Sequence, residues 1–365
     1  MLIRLEPKQQ KCVPSESTCV HHRELEVTNM QSTQFLHSEI ADWLQAGLQH
    51  DAENARLSKA FRAFYRVRAF IPIWLRQILQ RTRGGSRELS NDWFIPTELD
   101  SHLQTLTNAP KNLWPDDADY SFVLTHDVET ADGIKLIPQI AKIEEELGFR
   151  SAWNLIPYKH RIDDGMVRDL KERGHEVGVH GYNHDGKLFL SKKIFQKRVP
   201  MINEAIRRYG ASGFRAPMVH RNLDWLQELD IDYDASCFDI DPLQAMPGGV
   251  MNLWPFQVGK FIELPYTMPQ DHTLLIALGE TTDRIWQEKL ALIERWNGMA
   301  LMLTHPDYLE TPAKQFVYRH FLEHVREKAN YVHQLPMEVS QWTRQQLNLT
   351  NSAPQTRRAA ECAES

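Results

Sequence analysis

Cysteine is scarce in this chain. Four occur in 365 residues, Cys12, Cys19, Cys237 and Cys362, and no two form a C-x-x-C pair. Such spacing argues against a disulfide framework and against a structural zinc built on cysteines, and it fits a reducing compartment. Long apolar runs are missing as well. No stretch approaches the roughly 20 apolar residues of a membrane-spanning helix. The opening residues MLIRLEPKQQKCVPSEST carry charges and no apolar run of signal-peptide length. The expected location is therefore cytoplasmic. Positive charge is not in excess: 42 Lys and Arg face 48 Asp and Glu, a net charge of −6, which speaks against nucleic acid as a partner. With 42% hydrophobic and 25% charged residues, a wholly disordered or fibrous chain is excluded. Histidine and tryptophan are plentiful, at 16 and 10, and they direct the search toward a metal site with aromatic walls.

Four regions are expected from the texture of the chain. Residues 1–37 are polar and aperiodic and read as a disordered arm. Residues 38–110 read as a helical, basic N-terminal region, with apolar residues such as Leu57, Phe61, Phe64 and Tyr65 recurring at helical spacing. Within it, residues 56–87 hold nine cations and no acid. The plain reading is a solvated helix face; the alternative is peripheral contact with an anionic membrane surface. Residues 111–350 alternate strands with helices, and residues 351–365 read as a frayed tail. YSFVLTHDV, FRSAWNLIP, HEVGVH, GFRAP, YDASCF, KFIELPY and MALMLTH read as strands, separated by helices that several times end at Gly. Such alternation predicts an α/β architecture of parallel strands with crossover helices. The expected fold is an irregular or incomplete barrel of seven to eight β/α units with an N-terminal helical extension; an open doubly wound sheet is the second choice.

Polar residues with chemistry to offer gather at the C-terminal ends of these strands, the end where α/β barrels build sites. Thr125-His126-Asp127-Val128-Glu129 places two carboxylates at one strand exit, one free to hold a metal and the other to move a proton. His180 and His184, four residues apart, would share one face of a helical turn and suit zinc. Arg215 in Gly213-Phe214-Arg215-Ala216-Pro217 offers a cation that holds a carboxylate ionised. Asp234 leaves another strand. His305 in Leu303-Thr304-His305-Pro306 is delivered by an apolar strand into a polar mouth, as a general acid requires.

Taken in order, these five groups resemble the motifs of the polysaccharide deacetylases, carbohydrate esterase family 4, over roughly Tyr120 to Tyr308. The T-H-D-V-E form, with ELPYTMPQDHT and LTHPDY later, is similar to a bacterial subgroup associated with surface-polysaccharide biosynthesis. The resemblance implies a hydrolase that removes an N-acetyl group from an acetylated saccharide, with one divalent metal, zinc above all. It makes Asp127 the base, His180 and His184 metal ligands, and Arg215 the residue that orients the base. It makes His305 the general acid, Asp234 the acid that tunes it, and Leu303 the lining of the acetyl pocket. Three positions depart from the pattern. Val128 stands where the second aspartate is usual, so Glu129 takes over as third metal ligand. His126 replaces a phenylalanine, with no role implied. Met218 replaces a tyrosine and keeps only its backbone N–H for an oxyanion. Asp271 and His272, after KFIELPY, are expected to contact substrate. An O-acetyl esterase or other amide hydrolase on the same site stays open, as does a non-catalytic sugar-binding or membrane-docked scaffold.

Overall fold

β1, Tyr120–Val128, is buried along its whole length, as expected of a central parallel strand covered on both faces. It anchors a computed structural model that describes residues 113–244 and 249–347, together with Trp93, Phe94, Asp100, Ser101 and Gln104. The arm 1–37, the basic segment 56–87 and the tail 351–365 lie outside the described residues.

From β1 the chain alternates as its pattern predicts. Helix α1 spans Ala131–Glu146, β2 Ser151–Leu155, α2 Asp164–Glu172, β3 Glu176–His180 and α3 Lys192–Tyr209. There follow β4 Gly213–Arg215, the short α4 Leu223–Leu226, β5 Tyr233–Asp234 and the hairpin β6 Phe256–Val258 and β7 Phe261–Glu263. The chain ends with α5 Arg284–Arg295, β8 Met299–Thr304, α6 Pro312–Glu327, β9 Tyr331–His333 and α7 Pro336–Gln346. Local chemistry sets these limits. The side chains of Thr130, Asp163, Ser191 and Thr311 accept backbone N–H groups at the starts of α1, α2, α3 and α6. Gly210 takes the left-handed conformation that closes α3.

The strands form one curled sheet in the order β6-β7-β5-β4-β3-β2-β1-β8, parallel except for the β6–β7 hairpin. One edge of β1 is shared by two strands: Tyr120–Phe122 pair with β9, and Leu124–Val128 pair with β2. The ends of the sheet approach through an irregular run rather than a ladder. Tyr266 bridges to Phe238, and the N–H groups of Thr267 and Met268 both donate to the Leu301 carbonyl. The result is an incomplete α/β barrel, and its curl decides against the open doubly wound sheet.

Trp93 and Phe94 are buried in the same core as the sheet. Lys289 on α5, itself fully buried, donates to the Phe94 carbonyl at 2.5 Å and pairs with Asp239. Among the described residues, no helix is long and apolar enough to cross a membrane.

Candidate active site

Parallel pairing sets the strand exits side by side, so residues far apart in sequence meet at one mouth. Asp127 lies opposite Asn154 across β1 and β2, and His180 opposite Arg215 across β3 and β4. Gly181 makes the second approach possible. A Cβ there would come within 2.4 Å of the Pro217 ring, and its φ of +66° suits glycine. The two histidines are not on a helical turn. His180 ends β3, and His184 sits in the following loop with φ of +58°. Their rings meet at 5.3 Å because the loop doubles back, not because a helix places them on one face.

Glu129, His180 and His184 bring one ligand atom each within 4.8 Å of one another. His184 Nε2 lies 2.8 Å from Glu129 Oε1, and His180 Nε2 lies 3.7 Å from the same oxygen. His180 Nδ1 donates to the Arg215 carbonyl at 3.1 Å. That bond turns the lone pair of Nε2 toward Glu129, and Nε2 is buried with no hydrogen-bond partner among the described residues. A backbone carbonyl fixing the far nitrogen of an imidazole is the arrangement of metal-ligating histidines. Two imidazoles and a carboxylate around an orphaned nitrogen fit a divalent cation such as zinc. Burial opposes ionisation of Glu129, but the two histidines overcome it and hold the carboxyl well below its ordinary range. Burial pushes the His184 imidazole down, against the pull of Glu129; the neutral ring is the form that binds a metal.

Asp127 is clamped beside this cluster. Its Oδ1 accepts from Asn154 Nδ2 at 3.0 Å and from Arg215 Nη1 at 3.2 Å. Burial raises its pKa, but His180, Arg215, His305 and Asn154 together lower it below the ordinary value, so it is a carboxylate at neutral pH. Arg215 is fully buried. It also donates to Thr125 Oγ1 at 2.9 Å and to the Ala235 carbonyl at 2.6 Å.

On the neighbouring strand exit, after β8, stands His305. The carboxylate of Asp271 accepts from its backbone N–H at 2.6 Å and from Nδ1 at 2.9 Å. With Nδ1 so engaged, Nε2 is the nitrogen left to the mouth. Burial alone would lower this histidine, but Asp271, then Glu129 and Asp127, raise it to about 9. It is an imidazolium at neutral pH.

Two expectations are corrected by these contacts. Asp234 is not the acid on His305. Its Oδ1 accepts from Ser236 Oγ at 2.7 Å, and that oxygen accepts from the Ala216 N–H at 2.8 Å, so Asp234 braces the turn after β4. Burial and the facing Asp234 push the Glu263 carboxyl well above its usual range, making it the protonated member of that pair. Asp271, in turn, is fully buried on His305 and is not a surface that meets substrate. His272 beside it is half-buried. Burial lowers it to about 4, aided by the charge of His305, and its ring stands 5.4 Å from that of Tyr308.

Met218 and Val219 are both left-handed, at φ of 60° and 51°, strain of a kind that gathers at functional sites. Met218 lines a shallow, solvent-open pocket with Tyr182, His184, Phe189, Arg198 and His220. Leu303 is buried opposite Thr125 on the barrel's inner side. Asn154 was not singled out from the sequence, although an amide at the exit of an apolar strand was a usable signal.

The sequence matches no family model, and no curated protein matches it. Solved structures do share the fold. A Mycobacterium smegmatis protein named as a polysaccharide deacetylase is 21% identical, covering 67% of this chain and 96% of its own, with a TM-score of 0.54. A Pseudomonas aeruginosa PAO1 protein named in the same way is 11% identical, covering 66% and 95%, with a TM-score of 0.50. Puue allantoinase aligns equally well, at 11% identity, 66% and 95% coverage and a TM-score of 0.50. At these identities the likeness establishes the fold.

Proposed function

We propose that the strand-exit site is a metal-dependent hydrolase centre that removes an N-acetyl group from an acetylated sugar or saccharide precursor. One observation carries the reading. An ionised carboxylate, Asp127, and a protonated imidazole, His305, share a mouth with a His–His–Glu cluster in which His180 Nε2 has no hydrogen-bond partner among the described residues. A lectin needs no such set of pre-set protonation states.

Glu129, His180 and His184 would hold the divalent metal. When bound, it supplies Lewis acidity, drawing charge from a carbonyl oxygen and making water a stronger acid. Asp127 accepts the proton of the attacking water at Oδ2, because Oδ1 is held by Asn154 and Arg215. His305 delivers a proton from Nε2 to the leaving nitrogen, which departs poorly as an anion. Asp271 keeps the ring aimed and charged. The products are acetate and a free amine. Leu303 and Met218 border the acyl group in this reading, and His272 contacts the substrate. The fold shared with an allantoinase favours a second reading, hydrolysis of another amide on the same apparatus.

The test begins with metal content, by mass spectrometry, of wild type, His180→Ala/His184→Ala and Glu129→Ala. About one zinc per chain is expected in wild type and none in either variant. Stripping with a chelator should abolish release of acetate from acetylated amino sugars, and zinc should restore it. Metal retained in Glu129→Ala would make Asp127 the ligand and remove it as base. A metal-loaded protein that hydrolyses no amide or ester would leave a binding module.

A further inference from the structure

His126 is absorbed by none of the roles above, yet it is fully buried. Strand alternation explains where it points. Thr125 and Asp127 face inward, where Arg215 Nη1 reaches both. His126 therefore faces outward, into the layer between the sheet and helices α1 and α6. Its ring stacks on Trp153, with centroids 4.0 Å apart. Nε2 lies 2.6 Å from Glu144 Oε1 on α1. Nδ1 lies 2.7 Å from Thr304 Oγ1 on β8. Glu144 accepts two further hydrogen bonds at 2.5 Å, from Ser151 Oγ and from the Tyr318 hydroxyl on α6. Burial works against its charge, but His126 and these donors hold the carboxyl below its ordinary range.

Proton counting fixes the direction of the bond to Glu144. An ionised Glu144 only accepts, so His126 donates from Nε2. Nδ1 and the Thr304 hydroxyl share the second bond. This bond joins two neighbouring strands at a particular place. His126 and Thr304 are register partners, and each immediately precedes a reacting group: Asp127 follows the one and His305 the other. A phenylalanine would fill the same space without directional bonds, whereas buried polar groups are expensive unless every partner is present.

We infer that His126 is a positioning residue. Held by Glu144, it clamps the residue before the base to the residue before the acid and so sets the spacing between Asp127 and His305. The inference rests on the acid–base roles proposed above.

Thr304→Val tests it, since it removes the hydroxyl and keeps the shape. The variant is expected to lose about tenfold or more in kcat with KM little changed, because small misplacements of reacting groups are costly. Thr304→Ser should restore the rate. Zinc content should match wild type in both. His126→Phe/Thr304→Val should be no slower than the slower single variant, since both remove one bond. A thermal shift with unchanged kcat, or no rescue by serine, would overturn the proposal. A second arm does not use activity: nitrogen-15 NMR of the histidine rings. Thr304→Val should move the signals of both His126 and His305, although His305 is not bonded to the hydroxyl. An unmoved His305 overturns the clamp. Wild type inactive on every amide and ester, with His305 still moving, overturns the acid–base reading and retains the clamp. Should Thr304→Val fail to fold, Glu144→Gln is read the same way in both arms.

Discussion

The carboxylate that accompanies His305 decides how the imidazole behaves. Asp271 is bonded to Nδ1, and with the acids around it the ring is carried to about 9. A raised histidine is protonated below that value, so activity that needs the acid form should hold through neutral pH and fall as pH rises through about 9. Asp271→Asn removes the nearest negative charge. Its alkaline limb should therefore move toward neutrality, with zinc content unchanged, as read from the pH profile of kcat. Asp234→Asn should leave that limb where it is, since its carboxylate belongs to Ser236 and Glu263. If Asp234→Asn moved the limb and Asp271→Asn did not, the sequence expectation would be right and the geometric assignment wrong.

Strands fix the site through their close packing as much as through their exits. β3 carries Gly178 against Asn154: a Cβ at that glycine would stand 2.2 Å from Asn154 Oδ1. Asn154 in turn donates to Asp127. The short amide has little room to give, so Gly178→Ala should push it off Asp127. The expected result is a loss of about tenfold or more in kcat, with zinc content unchanged. Wild-type kcat in Gly178→Ala would show that Asn154 does not hold Asp127. Between helices and loops, Asp307 plays a comparable part. It accepts from Thr130, the N-cap of α1, and so ties the loop bearing His305 to the loop bearing Glu129.

Across the whole molecule, the core does not begin at the first strand. Phe94 is 1% exposed and lies in the same apolar cluster as β1 and β8. Its carbonyl engages the buried Lys289, which also faces Asp239. Phe94→Ala should therefore destabilise the barrel by about 3–5 kcal/mol, the usual range for a buried phenylalanine, as measured by denaturant unfolding. A loss within about 0.5 kcal/mol, typical of exposed sites, would mean that the segment around Phe94 is not part of the folding unit.

Much of this protein is written in local pattern. Alternation, caps and glycines place nearly every strand and helix from β1 to α7, and the strand-exit residues Asp127, Glu129, His180, Arg215 and His305 can be named from sequence because they follow apolar runs. Local pattern does not carry pairing. The hairpin strand β6, the short β9 and the run that closes the sheet depend on neighbours contributed from elsewhere in the chain. The same holds for partners: Asp271 lies 34 residues before His305 in sequence, and only the path of the folded chain brings it there. Spacing suggested a helical turn for His180 and His184, whereas left-handed backbone at Gly181 and His184 brings them together. Composition and periodicity determine which segments are strands and which residues stand at their ends. Which of those residues touch is decided by sheet register and loop path, which are properties of the folded chain as a whole.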